Sequence, residues 1–214
     1  MRLLVCLFVA LLAGCATGDQ APPITTLASN SNGLMVVSLT VTPTRGHPLH
    51  WNLYDVARPG ERVKYLVGYA GTSREDWAPR DTFNVMGGRL VVQALPPGTY
   101  ELRSWEFTEM LDQKRTMIYR PSSALPFRFR VEAGRAVYLG NLHLHAEHQA
   151  PNFPLRVFDA RERDLALFHS RYTGITAEQI DIRVFPGARP LPPFLRDDKG
   201  SKEDYEALLR LLKP

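Results

Sequence analysis

The densest run of metal-ligating residue types in the chain is His143-Leu144-His145-Ala146-Glu147-His148. If this run is extended, His143 and His145 project from one face about 7 Å apart, a spacing at which two imidazoles share a metal ion. Glu147 or His148 then supplies a third ligand where the strand ends. The competing reading is a strand whose solvent face fades into a polar loop, with Leu142 and Leu144 turned to the core. A metal site at His143, His145 and His148 therefore stands beside a reading in which they bind nothing. His47 and His50 flank Pro48 at a strand entrance, where a turn accounts for them.

Glu101, Glu106 and Glu109 are carboxylates of the kind that pair for proton transfer. Strand alternation places Glu101 and Glu106 on opposite faces, which prevents them from acting together. The chain contains no G-x-S-x-G elbow, S-x-x-K, H-E-x-x-H or phosphate-cradling glycine loop. The expectation is a protein that is not an enzyme. Trp51, Trp77 and Trp105 are core residues of a β protein or part of a surface for sugar or peptide. Trp77 sits in the long polar segment from Gly71 to Asp81. Loops of that length are more often functional than short ones, so Trp77 is the expected partner-binding residue.

The elements that must position these groups follow from composition and pattern. The 214 residues carry 26 Lys+Arg against 22 Asp+Glu, a formal charge of +4, with 44% hydrophobic and 22% charged residues. These values exclude disordered, collagen-like and coiled-coil chains. The arginines are scattered rather than gathered into a basic stripe, so no nucleic-acid partner is expected. Both cysteines, Cys6 and Cys15, fall at the amino terminus, which removes disulfides, zinc ribbons and thiol catalysis from the rest.

Leu34–Thr42, Leu49–Val56, Arg62–Tyr69, Arg89–Leu95, Thr99–Phe107, Phe127–Glu132 and Ala136–His145 read as strands bounded by Pro and Gly turns. The fold class predicted is mainly β, an antiparallel β-sandwich. A carboxy-terminal extension follows, with two amphipathic helices. The first opens on a capping box, Asp159 with Glu162, and carries a stripe of Leu165, Phe168 and Tyr172. The second carries Tyr205, Leu208, Leu209 and Leu212.

Two segments carry family resemblances. Arg2 precedes an apolar run, Leu3 to Ala13, too short to span a bilayer, which needs about 20 residues, but fitting a signal-peptide core. Leu12-Ala13-Gly14-Cys15 directly after it resembles the lipobox of bacterial lipoproteins. That resemblance implies cleavage before Cys15, a diacylglyceryl thioether on its sulfur and an acyl chain such as palmitate on its new amino group. No other cofactor is expected unless the histidines hold a metal. Ala16 stands where the family's inner-membrane retention signal has Asp. In a Gram-negative source this implies an outer-membrane anchor facing the periplasm. Residues 16–33 are small, polar and Pro/Gly-punctuated, a tether with a reach of roughly 20–25 Å.

Leu95-Pro96-Pro97-Gly98-Thr99-Tyr100-Glu101-Leu102 resembles the L-x-P-G-x-Y-x-L signature of carboxypeptidase-regulatory-like, prealbumin-type β-sandwiches. Val131 to Gly140 is similar to a V-x-A-G-x-x-x-Y-L-G segment in bacterial lipoproteins with such domains. The resemblance covers residues 34–145 and implies a non-catalytic interaction or structural module of the cell envelope. Its partners would be the membrane through the lipid and an envelope protein or polysaccharide. The alternatives are a metal-binding envelope protein using the histidines and an enzyme of envelope polymers. The resulting division is signal peptide 1–14, lipidated cysteine and tether 15–33, sandwich 34–158 and a helix–strand–helix extension 159–214 that packs on the sandwich, its strand at Ile180–Val184.

Overall fold

The computed structural model describes residue 27 and residues 31–42, 49–58, 60, 62–68, 81–83, 86–110, 116–119, 127–145, 155–190 and 210. Strand β1 (Gly33–Thr42) is rich in β-branched residues, and its two faces are both buried. Such a strand belongs at the centre of a sheet covered on both sides. It pairs with β5 (Met86–Leu95) on one side and β9 (Ala136–His145) on the other. Beyond these lie β4 (Asp81–Phe83) next to β5 and β10 (Leu155–Asp159) next to β9. Two short strands from the carboxy-terminal part join the same sheet: β11 (Ile180–Ile182) on β9 and β12 (Arg189–Pro190) on β10.

The second sheet runs β3 (Arg62–Gly68), β2 (Leu49–Asp55), β6 (Gly98–Met110) and β7 (Thr116–Tyr119), with β8 (Phe127–Val131) also on β6. All its pairings among the described residues are antiparallel, and β2 and β3 are neighbours in sequence and in the sheet. The first sheet corrects the antiparallel expectation. Its β1–β9, β9–β11 and β10–β12 pairings are parallel. Turn signals in a sequence announce neighbours along the chain. Nothing local announces a partner as distant as β9 is from β1.

One apolar cluster lies between the two sheets. Met35, Val37, Leu39, Leu142 and Leu144 from the first meet Leu53, Tyr100, Leu102, Trp105 and Phe129 from the second. A second cluster covers the other face of the first sheet, where Leu34, Val36, Leu90, Tyr138 and Phe158 receive Phe168 of helix α1 (Arg161–Arg171). Leu165 and Tyr172 pack beside Phe168, as the stripe required. The helix start differs from expectation. Its N-cap is Ala160 without a side-chain cap, and the Asp159 carboxylate, one residue earlier, accepts from the Arg161 guanidinium and from the Arg161 backbone N–H at 3.3 Å. The expected second helix lies outside the described residues apart from Arg210, which is helical.

Two bulges set which side chains face where. On β6 the register shifts opposite Asn52 and Leu53, so Trp105, which unbroken alternation would turn away, joins Tyr100 and Leu102 in the core. On the alternation beyond the bulge, Glu106 returns to the face of Glu101, which corrects the opposite-face expectation. They remain far apart along the strand, at about 3.4 Å per residue. The second bulge is at Gly140, where β9 slips against Val36 and Ser38 of β1. Gly140 has φ of 101°, and a Cβ there would meet the Phe158 carbonyl oxygen at 3.0 Å and Val184 Cγ1 at 3.1 Å. Only glycine accepts both constraints.

Candidate functional site

The Gly140 bulge determines the site. Val137 and Leu139 before it face the core between the sheets, and so do Leu142 and Leu144 after it. Asn141 and His143 therefore share the helix-covered face with Tyr138, Ser38 and Thr40. The lower half of that face is polar where the upper half is apolar, and helix α1 inserts Asp164 into it. Ser38, Asn141, His143 and Asp164 are all 0% exposed.

Asp164 is the hub. Its Oδ2 accepts from Ser38 Oγ at 2.6 Å and from the Tyr138 hydroxyl at 2.8 Å. Its Oδ1 accepts from Arg163 Nε at 2.8 Å and Nη2 at 2.7 Å. Arg163 Nη2 also donates to Ser38 Oγ at 3.1 Å. Asn141 Nδ2 donates to Ser38 Oγ at 2.9 Å and Thr40 Oγ1 at 3.0 Å, and Thr40 Oγ1 lies 2.9 Å from His143 Nδ1. Burial raises the Asp164 carboxyl pKa, opposed by Arg163, Ser38 and Tyr138. Burial and the adjacent Asp164 charge raise the Tyr138 hydroxyl far above its ordinary value.

This set contains the residue types of a hydrolytic triad in the wrong order. The serine hydroxyl is spent on the carboxylate, and the imidazole is bonded to a threonine instead. In a working triad the imidazole stands between nucleophile and carboxylate. The arrangement fastens α1 to the sheet: a carboxylate on the helix grips two hydroxyls on two strands.

His143, first of the expected metal ligands, is thus buried, engaged by Thr40 and packed 6.0 Å from the Phe158 ring. That corrects the expectation of a solvent-facing position. His145 ends β9, and His148 lies outside the described residues, as do Trp77 and Cys15. Among the described residues no group of three or more His, Cys, Asp or Glu is placed to hold a metal ion. Asp164 escaped sequence reading, although one signal marked it. It sits four residues before Phe168 on the apolar stripe, where a carboxylate is out of place unless it has buried partners.

Two further features lie elsewhere. On the outer side of β6, Glu101 is 3% exposed and accepts from Arg128 Nε at 2.7 Å and Arg103 Nε at 2.7 Å. These bonds, Arg128 first, hold its carboxyl below the ordinary glutamate range. Arg103 also lies 4.5 Å from the centre of the Tyr54 ring, a cation–π contact. The other feature is a cleft of about 510 Å³ beside β10, with Phe127, Leu155, Val157 and Phe185 in its walls. The Phe127 and Phe185 rings stack with centroids 4.2 Å apart. Its rim is the turn Phe185-Pro186-Gly187-Ala188, closed by Ala188 N–H on the Phe185 carbonyl at 3.2 Å. Gly187 at φ of 80° and Pro186 before it are the residues a type II turn selects. The chain matches no known protein family, no curated protein and no solved structure.

Proposed function

We propose that the chain is a lipid-anchored envelope lipoprotein whose β-rich body is a non-catalytic interaction or structural module. The observation that carries this reading is Leu12-Ala13-Gly14-Cys15 set directly after an apolar run of signal-peptide length. Lipidation at Cys15 would supply stable anchoring, since a single acyl chain gives only marginal binding and each buried CH₂ contributes about 0.8 kcal/mol. In a Gram-negative host the anchor is in the outer membrane, facing the periplasm. The prealbumin-like sandwich is part of the same proposal. Its support is the apolar cluster shared by the two sheets and the Pro97-Gly98-Thr99-Tyr100 corner, where the Tyr100 hydroxyl donates to the Pro96 carbonyl at 2.8 Å.

The non-catalytic reading draws support from the buried polar cluster, whose hydroxyls and carboxylate are used up on one another. The test is metabolic labelling with an alkyne palmitate in a Gram-negative host, followed by membrane fractionation. The wild-type chain takes up label and sediments with the outer membrane, and Cys15→Ala does neither. Label that persists in Cys15→Ala, or a wild-type chain free of label, overturns the proposal.

A further inference from the structure

We infer that Leu27 latches the tether to the body and turns the end with the β5–β6 and β8–β9 turns toward a phospholipid surface. The latch stands on the described geometry, and the orientation rests on Cys15 being the anchor, as proposed above. Leu27 is 1% exposed and belongs to the apolar cluster that receives helix α1, with Leu34, Ile175 and Ile180. Its carbonyl oxygen lies 3.8 Å from the position a Cβ on Gly134 would take, which sets it beside the β8–β9 turn. The same turn holds the start of β1. Gly134 N–H donates to the Asn32 carbonyl at 3.1 Å, and Leu34 N–H to the Arg135 carbonyl at 2.9 Å.

At this end β1 starts at Gly33 opposite Leu95, β6 starts at Gly98 opposite Val131, and β2 finishes at Asp55 opposite Tyr100. The far end carries the close of β6 at Met110, paired with Thr116 of β7, and the close of β9 at His145. The ten residues of β1 put about 33 Å between the two ends. Composition runs the tether on to residue 33, but a side chain buried in the body does not move with it. What remains is residues 16–26. As the coil their composition predicts, these reach roughly 17–20 Å, and full extension gives about 36–40 Å. The near end therefore meets the lipid with the tether relaxed. Contact by the far end needs a tether stretched almost to its limit. A tether freed as far as Asn32 would extend to about 56–61 Å, enough for the body to turn over.

The test uses the full chain with Cys6→Ser, in which Cys15 is the only thiol. A maleimide-bearing phospholipid attaches Cys15 to vesicles of phosphatidylethanolamine and phosphatidylglycerol, so the outcome does not depend on whether a cell acylates that residue. A second phospholipid carries a diazirine on its headgroup, and mass spectrometry maps the residues it labels. Label is expected at 96–97 and 132–135, and several-fold less at Met110, Thr116 and His145. Leu27→Ser is expected to raise the far-to-near ratio about fivefold, the gain in coil probability at a 33 Å span when the tether lengthens to Asn32. A Gly/Ser insertion of the same length before Ala21, with Leu27 kept, is expected to do the same. Equal labelling of the two ends with Leu27 in place and no insertion overturns the orientation, and that comparison does not depend on a variant folding. A ratio that rises with the insertion but not with Leu27→Ser overturns the latch.

Discussion

Replacing Asp164 by leucine removes, in one step, the acceptor used by Ser38, Tyr138 and Arg163. Arg163 is 8% exposed at its side chain, so its charge is left buried without the carboxylate it grips. Breaking a buried pair from one side costs about 3–5 kcal/mol, most of it the stranded charge. Arg163→Met strands the carboxylate instead and should cost a similar amount. The double substitution strands neither charge, and apolar replacements of buried ion pairs are often close to neutral. The expected cycle is therefore strongly non-additive, with the double variant more stable than either single one and a coupling of about 2 kcal/mol or more. Urea unfolding followed by tryptophan fluorescence measures each midpoint, with an unchanged slope as the check on the folded state. Additive losses would refute the reasoning, for they would mean that the two side chains do not act as a pair.

Gly140→Ala should cost about 1–3 kcal/mol, because φ of 101° is strained for alanine and its methyl meets the Phe158 carbonyl. Thermal unfolding checks it, and an unchanged midpoint would mean that the bulge does not need glycine. Glu101 has its carboxyl pKa held below the ordinary value, so its contribution is present above the unfolded value near 4.5 and is lost as pH falls through the folded one. Glu101→Gln should therefore lower stability at neutral pH by about 1–2 kcal/mol, moderated because both guanidiniums reach water. The gap from wild type should close in acid, measured as unfolding midpoint against pH. A gap that widens in acid contradicts the assignment.

Strands and hairpins were legible wherever apolar alternation and a Pro-Gly turn coincided, as for β2–β3 and the β5–β6 corner. The two bulges were not, because one extra residue reverses every side chain beyond it while leaving the composition of the strand unchanged. Glu106 was assigned to the wrong face for that reason. His143 was legible as a partner of Leu142 and Leu144 on opposite faces. What was missing was the face that the helix covers, since the stripe of α1 announced packing on the sheets but not on which strands. Asp164 lay in that stripe as a violation of it. Only the sheet below, with Ser38 and Tyr138 facing up, gave it a reason to be there.

The position of β1 has a mechanical consequence. It is the first described strand of the chain, yet it lies in the middle of its sheet, paired along its length with β5 on one side and β9 on the other. Ladder hydrogen bonds lie across the strands, so a pull on the chain ahead of Gly33, directed along β1, loads both ladders at once rather than one bond after another. If the amino terminus is tethered as proposed, tension enters the body where its resistance is cumulative. An edge strand in the same place would peel.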